Sequence, residues 1–366
     1  MGRVADAWRQ KTVQLDDSAL RQGAVQRVVG QPPEEVSPEE TLDALGIDIT
    51  YLERGKFDPL TLPAMLRIAD ERKIDILHLH GYGATTFGRM VGALRGIPTI
   101  VHEHANLTTT PWFQKVADKA LEPFTDIAIA VSQSTADFVI NARLIPEKKT
   151  KVVYLGVPLE EFSRERTSAE VADARAVLGI APTDFAIGTI TRLHDSKGNN
   201  YLVDAAAQVV RERPQARFYL VGEGPLLPDL QSQAAALGLG ERFVFAGFQR
   251  DVARYLSAFD LSVFPSLWEG TPITAFEALA MGKPIVATDA DGLLDILTDT
   301  LDAVIVPRRN AAALAKTIEW AIDSPAERAR LSANARETGR EEQVLFGLLC
   351  FPMASNTQLK RSTCTT

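Results

Sequence analysis

Two glutamates, Glu269 and Glu277, stand with seven residues between them in the stretch "SLWEGTPITAFEALAMGKP". Glu277 lies among Phe276, Ala278, Leu279 and Ala280. A carboxylate in such surroundings must find hydrogen-bond donors or take up a proton. Sugar hydroxyls would serve as donors. The plainer alternative is a charge on the solvent face of a helix, but "AFEALAM" leaves little polar face. Glu269 precedes a Gly270-Thr271-Pro272 turn. Thr271 is expected as the helix N-cap and Pro272 as the first helical residue. The free N–H groups near Gly270 to Ile273 would then point at a ligand beside Glu269.

Arg192 and Lys197 form a second group, in "TITRLHDSKG". Two cations just after an apolar run, one beside a glycine at a helix start, suit a diphosphate. Arginine can form a forked pair with phosphate oxygens, and lysine adds a point charge. Two exposed surface cations are the alternative. In "VGEGP", Gly222, Gly224 and Pro225 make a tight turn where a ligand could approach the backbone, or simply a turn. Asp289 and Asp291 could hold a divalent cation between phosphates. They are read instead as a solvated loop, because Arg192 and Lys197 already supply charge. His78, His80, His102 and His104 are four of the five histidines. Each His-x-His pair shares one face of a strand, so zinc is a reading to weigh. No helical His-Glu pair or cysteine completes a familiar site, and no metal is assigned. One histidine of each pair is taken as structural, and the other as a hydrogen-bond partner for a substrate hydroxyl or phosphate.

These residues follow short runs rich in Val, Ile, Leu or Phe: "IDILHLHG", "PTIVHEH", "DIAIAVS", "KVVYLG", "AIGTIT", "RFYLVGEG", "RFVFAG", "DLSVFPS", "PIVATD" and "AVIVP". Helical patterns separate them. The alternation predicts α/β architecture with parallel strands covered on both faces. Ten strands exceed one ordinary sheet, and the strand-free polar stretch near residues 158–184 divides them into two doubly wound domains. Ligands then sit beyond the carboxyl ends of the strands, where the residues above fall. The expected division is an atypical segment 1–46, a first Rossmann-like domain 47–160, a linker 161–184, a second Rossmann-like domain 185–335 and an atypical tail 336–366. No opening strand is expected before residue 47, and loop or disorder is expected after Arg340.

Composition narrows the classes further. The 366 residues are 46% hydrophobic and 23% charged, ordinary for globular domains. A net charge of -8 provides no basic footprint for nucleic acid. The two cysteines, Cys350 and Cys364, define no metal spacing or disulfide framework. Neither an apolar signal core at the N-terminus nor a membrane-spanning apolar run is present, so a cytoplasmic protein is expected. In "PWFQKVADKALEPF", Trp112, Phe113, Val116, Ala117, Ala120, Leu121 and Phe124 recur at helical spacing beside Lys115 and Lys119. This reads as a helix packed on its own sheet, with a membrane surface as the alternative.

The motifs in order, "TRLHDSKG", "FYLVGEGP", "RFVFAGFQRDV", "AFDLSVFPSLWEGTPITAFEALAMGKPIVATDADG" and "IVPRRNAAALAKTIEW", resemble those of retaining, nucleotide-sugar-dependent glycosyltransferases of the GT-B type. "DILHLHG", "GIPTIVHEH", "AVSQSTADFV" and "VYLGVPLEEF" extend the resemblance, which covers roughly residues 40–335. It implies two Rossmann-like domains facing across a cleft. It also implies roles. Arg192 and Lys197 would neutralise the departing diphosphate, Glu277 would hold the ribose hydroxyls, and Glu269 would stand beside the donor sugar. Gly270 and Thr271 would supply backbone N–H groups, with Gly222 in the donor-binding turn, and His104 would touch donor sugar or phosphate. No metal and no cofactor is implied. The donor would be a nucleoside-diphosphate sugar and the acceptor a sugar or glycolipid hydroxyl. Cell-surface polysaccharide or glycolipid assembly is the family's usual setting, and the chain is expected in the cytoplasm, with the inner face of the membrane as a possible site.

Both ends depart from the family's pattern. Only "QGAVQRVV" resembles the opening strand and loop, and the tail lacks the family's returning helix. A truncated, binding-only relative and a sugar-nucleotide epimerase therefore stay open beside the transferase. A dehydrogenase is disfavoured because no Gly-x-Gly-x-x-Gly turn with a following acidic residue occurs.

Overall fold

The computed structural model describes residues 25–27, 49–52, 54–55, 58–104, 111–154 and 156–350. The chain divides into two units, Met1–Val152 and Val153–Thr366, each with its own sheet and core.

In the first unit, β1 (Val25–Arg27) pairs in parallel with β2 (Ile49–Tyr51) as a separate two-stranded sheet. The sequence expectation of no opening strand is corrected here. A three-residue strand lacks the apolar run by which buried strands are recognised. The rest of segment 1–46 lies outside the described residues. The main sheet is parallel, in the order β3 (Leu77–His80), β4 (Thr99–Glu103), β5 (Ile127–Ala130) and β6 (Thr150–Val152). Helices α1 (Thr61–Glu71), α2 (Tyr82–Arg95), α3 (Trp112–Leu121) and α4 (Gln133–Asn141) connect and cover it. Its core is modest. One cluster contains Val101, Ala128, Val139 and Ile145, and another contains Met65, Ala69 and Val91.

The second unit carries a six-stranded parallel sheet of β7 (Phe185–Ile190), β8 (Ala216–Val221), β9 (Phe243–Gly247), β10 (Leu261–Phe264), β11 (Ile285–Thr288) and β12 (Ala303–Val306). The spatial order is β12-β11-β10-β7-β8-β9. All ten apolar runs are therefore strands. The strand order reverses between β7 and β10, and the loops leaving these two strands border the crevice where doubly wound sheets bind ligands. Each sheet face has its own apolar cluster. The helices are α5 (Leu159–Phe162), α6 (Ser168–Val177), α7 (Asn199–Glu212), α8 (Leu227–Ala236), α9 (Val252–Ala258), α10 (Ile273–Ala280), α11 (Asp291–Leu294), α12 (Ala311–Asp323) and α13 (Pro325–Cys350).

Three local expectations differ from the structure. The stretch read as a linker, 161–184, packs onto the second unit. Phe162, Ala174 and Ile180 are buried in its core, and a Thr167–Glu170 capping box starts α6. The helix after the Gly-Thr-Pro turn begins at Ile273. Pro272, with ψ of 96°, is the N-cap, and no side chain caps the helix. The residues after Arg340 continue α13 to Cys350, where a loop was expected. Leu331 and Ala335 anchor that helix, and elongation from an anchored turn adds a hydrogen bond per residue without a new nucleus. The tail beyond Cys350, with Cys364, lies outside the described residues.

Helix α13 also grips the end of α10. A Cβ on Gly339 would stand 2.7 Å from the Ala280 nitrogen, so only glycine allows this approach. Ser332 Oγ donates to the Gly282 carbonyl at 2.5 Å, and Arg336 Nη2 donates to the Met281 carbonyl at 3.1 Å.

Candidate active site

In the second unit, the loop after β7 is fixed by its backbone and free at its side chain. Thr191 N donates to Val221 O at 2.9 Å, and Leu193 N to Glu223 O at 2.8 Å. A Cβ on Gly222, at φ +135°, would stand 1.9 Å from Thr191 O. The close approach that needs this glycine is to the neighbouring loop. Arg192 lies between these two anchors, exposed and with no ion-pair partner among the described residues. Six residues on, Gly198 is the N-cap of α7 at φ +59°, where a Cβ would meet Pro265 O at 2.1 Å. That contact draws the β7 loop against the β10 loop, as does the bond from Leu267 N to Ser196 O at 2.7 Å.

At this seam Lys197 Nζ meets both Glu269 oxygens, at 2.6 and 2.7 Å. Ser266 Oγ donates to Glu269 Oε1 at 2.6 Å. Glu269 is buried, so its charge needs these partners. The sequence assigned the two residues separately, to sugar and to phosphate; the structure brings them together as an ion pair. Three ammonium protons and several carboxylate lone pairs leave capacity for a ligand.

Glu277 sits on α10 with 9% of its surface exposed. Its Oε2 is buried without a hydrogen-bond partner. Burial, with the Glu161 charge as the lesser cause, pushes the carboxyl up to about 7. A group held near neutrality with an unused buried oxygen is the mark of a binding position.

The sequence reading missed a third layer. Gly292 at the start of α11 backs the Glu269–Gly270 turn, and a Cβ there would stand 2.2 Å from Gly270 O. Arg308 binds Asp289 Oδ1 through its backbone N at 2.7 Å and its Nε at 3.2 Å. It also reaches Asp291 at 3.0 Å and the Leu267 carbonyl at 2.8 Å. Both aspartates are thus engaged by a guanidinium, which ties the loops after β10, β11 and β12 together. The available signal was a cation two residues beyond the end of β12.

In the first unit, His78, His80, His102 and His104 share one face at the carboxyl ends of β3 and β4, with His80 opposite His102 in register. His78 Nε2 lies 3.1 Å from His102 Nδ1, and His80 Nδ1 lies 2.7 Å from His104 Nε2. The stacked rings desolvate one another and neighbouring histidine charges add, which pushes His80 down to about 4 and His102 to about 3. Burial pushes His78 and His104 down as well.

Beneath the end of β4 lies a buried charge network. Arg89 Nη2 binds Asp118 Oδ1 at 2.5 Å. Arg143 Nε stands 3.5 Å from both Glu103 and Asp118, and its guanidinium lies 4.6 Å from the Tyr82 ring centre. This network inverts α3. The helix buries Gln114 and Asp118 and exposes Trp112 (77%), Phe113 and Val116. The expectation that the apolar stripe packs on the sheet is corrected: two buried arginines recruit the polar side inward.

Two family models match in succession, Glycosyltransferase Family 4 over residues 21–161 and Glycosyl transferases group 1 over residues 170–338. The Escherichia coli UDP-Gal:alpha-D-GlcNAc-diphosphoundecaprenol alpha-1,3-galactosyltransferase is 27% identical, over 68% of this chain and 66% of its own. The match therefore spans about two thirds of that relative. The alpha-D-kanosaminyltransferase of Streptomyces kanamyceticus is 26% identical, over 70% of each chain. Among solved structures, Anabaena Alr3699/HepE in complex with UDP and glucose superposes with a TM-score of 0.79 at 22% identity, over 96% of this chain and 95% of that one. Sucrose-phosphate synthase from Thermosynechococcus elongatus gives 0.69 at 22% identity, over 89% and 88%. These likenesses establish the fold, two parallel-sheet α/β domains of GT-B type.

Proposed function

The chain belongs to the group 1 glycosyltransferases of GT-B fold, and on that premise we propose that it moves a sugar from a nucleoside-diphosphate donor to an acceptor hydroxyl with retention of anomeric configuration. The observation that carries the reading is Glu277, a buried carboxylate with an unpartnered oxygen beyond the sheet's switch point. We assign it the ribose hydroxyls of the donor nucleotide. Arg192 and Lys197 neutralise the diphosphate as the bond from the anomeric carbon to phosphate oxygen breaks. The acceptor oxygen bonds to that carbon on the same face, and its proton passes to the departing diphosphate. Stabilisation of leaving-group charge is the main protein contribution. Glu269 orients Lys197 and stands beside the sugar, with the Gly270 and Thr271 backbone flanking it. His104 contributes a contact to donor sugar or phosphate. In this scheme the two cations serve where other transferases use a metal, and Asp289 and Asp291 are committed to Arg308.

The acceptor is assigned to the sugar or glycolipid class, and the setting to polysaccharide or glycolipid assembly at the cytoplasmic membrane face. The exposed Trp112, Phe113 and Val116, beside exposed Lys115 and Lys119, support peripheral contact with an anionic bilayer. Among the described residues no helix is long and apolar enough to cross a membrane.

Calorimetric titration with UDP, GDP and ADP tests the donor site, with Glu277→Ala as control. At least one nucleotide binds the wild type at least about tenfold more tightly than the variant, a difference of about 1.4 kcal/mol. Equal, weak binding of all three to both proteins defeats the ribose assignment. The anomeric configuration of the product, read by NMR coupling constants, tests retention.

A further inference from the structure

We propose that His78, His80 and His102, all in the first unit, form a binding site for a divalent transition-metal ion of the zinc class. The three side chains offer ligand atoms that all lie within 4.8 Å of one another. Strand geometry produces the arrangement. Two histidines two apart on β3 face the same way, and β4 sets His102 beside His80. Three imidazoles converging from adjacent strands is a ligand set that zinc accepts, with its fourth position left to water. His78 Nε2 and His102 Nδ1 are 3.1 Å apart, a hydrogen bond that leaves His102 Nε2 as that ring's nitrogen for an ion. His104 hydrogen-bonds His80 and would orient it from behind.

One further observation points to a ligand. His102 Nε2 is buried with no hydrogen-bond partner among the described residues, so protein groups alone do not satisfy the cluster. His78 and His80 are exposed, which gives an ion access. Imidazole ligands without thiolate or carboxylate favour zinc, copper, nickel or cobalt over magnesium or calcium.

The test uses the full chain without a histidine tag, stripped with chelator. Zinc is titrated in competition with a chromophoric chelator, and cobalt(II) is added to read coordination from its visible absorption. One equivalent of zinc is expected to bind, and cobalt is expected to give a tetrahedral spectrum. His80→Ala and His102→Ala each weaken zinc by at least the 10- to 100-fold that loss of an outer-shell partner costs. His194→Ala, at the one histidine outside the cluster, leaves zinc binding unchanged. Circular dichroism confirms folding, and the milder His78→Gln repeats the test if an alanine variant unfolds. Stoichiometric binding that survives in every cluster variant, or no binding tighter than that of His194→Ala with its cluster blocked by His78→Gln, overturns the proposal. Nucleotide titration is run on the same samples, so failure of the metal site and failure of the donor assignment are read separately.

Discussion

At the scale of single residues, the ribose role proposed for Glu277 predicts that nucleotide binding depends on pH. Its folded value of about 7 lies above the ordinary 4.5. Between these values the folded chain holds a proton that the unfolded chain has released. The group's contribution to stability is therefore full below pH 4.5 and is lost as pH rises through about 7. The ionised form is the better acceptor for ribose hydroxyls, so affinity should rise with pH up to about 7 and then level. Glu277→Gln should flatten that profile, and an unchanged slope in the variant would move the pH dependence elsewhere. Lys197 carries a different prediction. Lys197→Met leaves Glu269 buried with Ser266 as its remaining side-chain partner among the described residues and should cost on the order of 3 kcal/mol in urea unfolding. Adding Glu269→Gln should recover much of the loss, whereas additive losses would show that the pair is uncoupled. The identities of these residues were legible in the sequence because each follows a strand. Their pairing was not, since Lys197 and Glu269 meet only when loops 72 residues apart in sequence are brought together.

At the scale of elements, every strand of the two main sheets was legible, because buried parallel strands leave continuous apolar runs. Helix α3 was not. Periodicity shows that one stripe is apolar and says nothing about which stripe faces inward. That choice was made by Arg89 on α2 and Arg143 beyond α4, which need Asp118 more than the sheet needs Trp112. The outcome is a helix with exposed aromatic residues beside two lysines. Trp112→Ser combined with Phe113→Ser should reduce cosedimentation with vesicles containing anionic lipid several-fold and leave UDP, GDP and ADP binding unchanged. Equal cosedimentation of variant and wild type would remove α3 from the membrane-facing surface. Short β1 escaped detection for the opposite reason: three residues carry too little pattern to be distinguished from loop.

At the scale of the whole molecule, the two units have unequal cores. The second is enclosed by apolar clusters on both sheet faces, and the first has two small ones. Scanning calorimetry should resolve two transitions, the first unit melting earlier. A bound nucleotide at 100 times its dissociation constant should stabilise the second by about 2.7 kcal/mol, which raises its midpoint by roughly 5–10 °C. A nucleotide that shifts only the earlier transition would place the donor site in the wrong unit. The contact of Gly339 with Ala280 has a consequence in time. The ribosome makes α10 first and the helix that clasps it about 60 residues later, roughly 3–12 s afterwards at ordinary elongation rates. Until Ser332, Arg336 and Gly339 emerge, the carbonyls at the end of α10 lack their clasp. A nascent chain stalled before residue 332 would thus present Glu277 on an unfinished helix, and nucleotide recognition would be among the last properties the growing chain acquires.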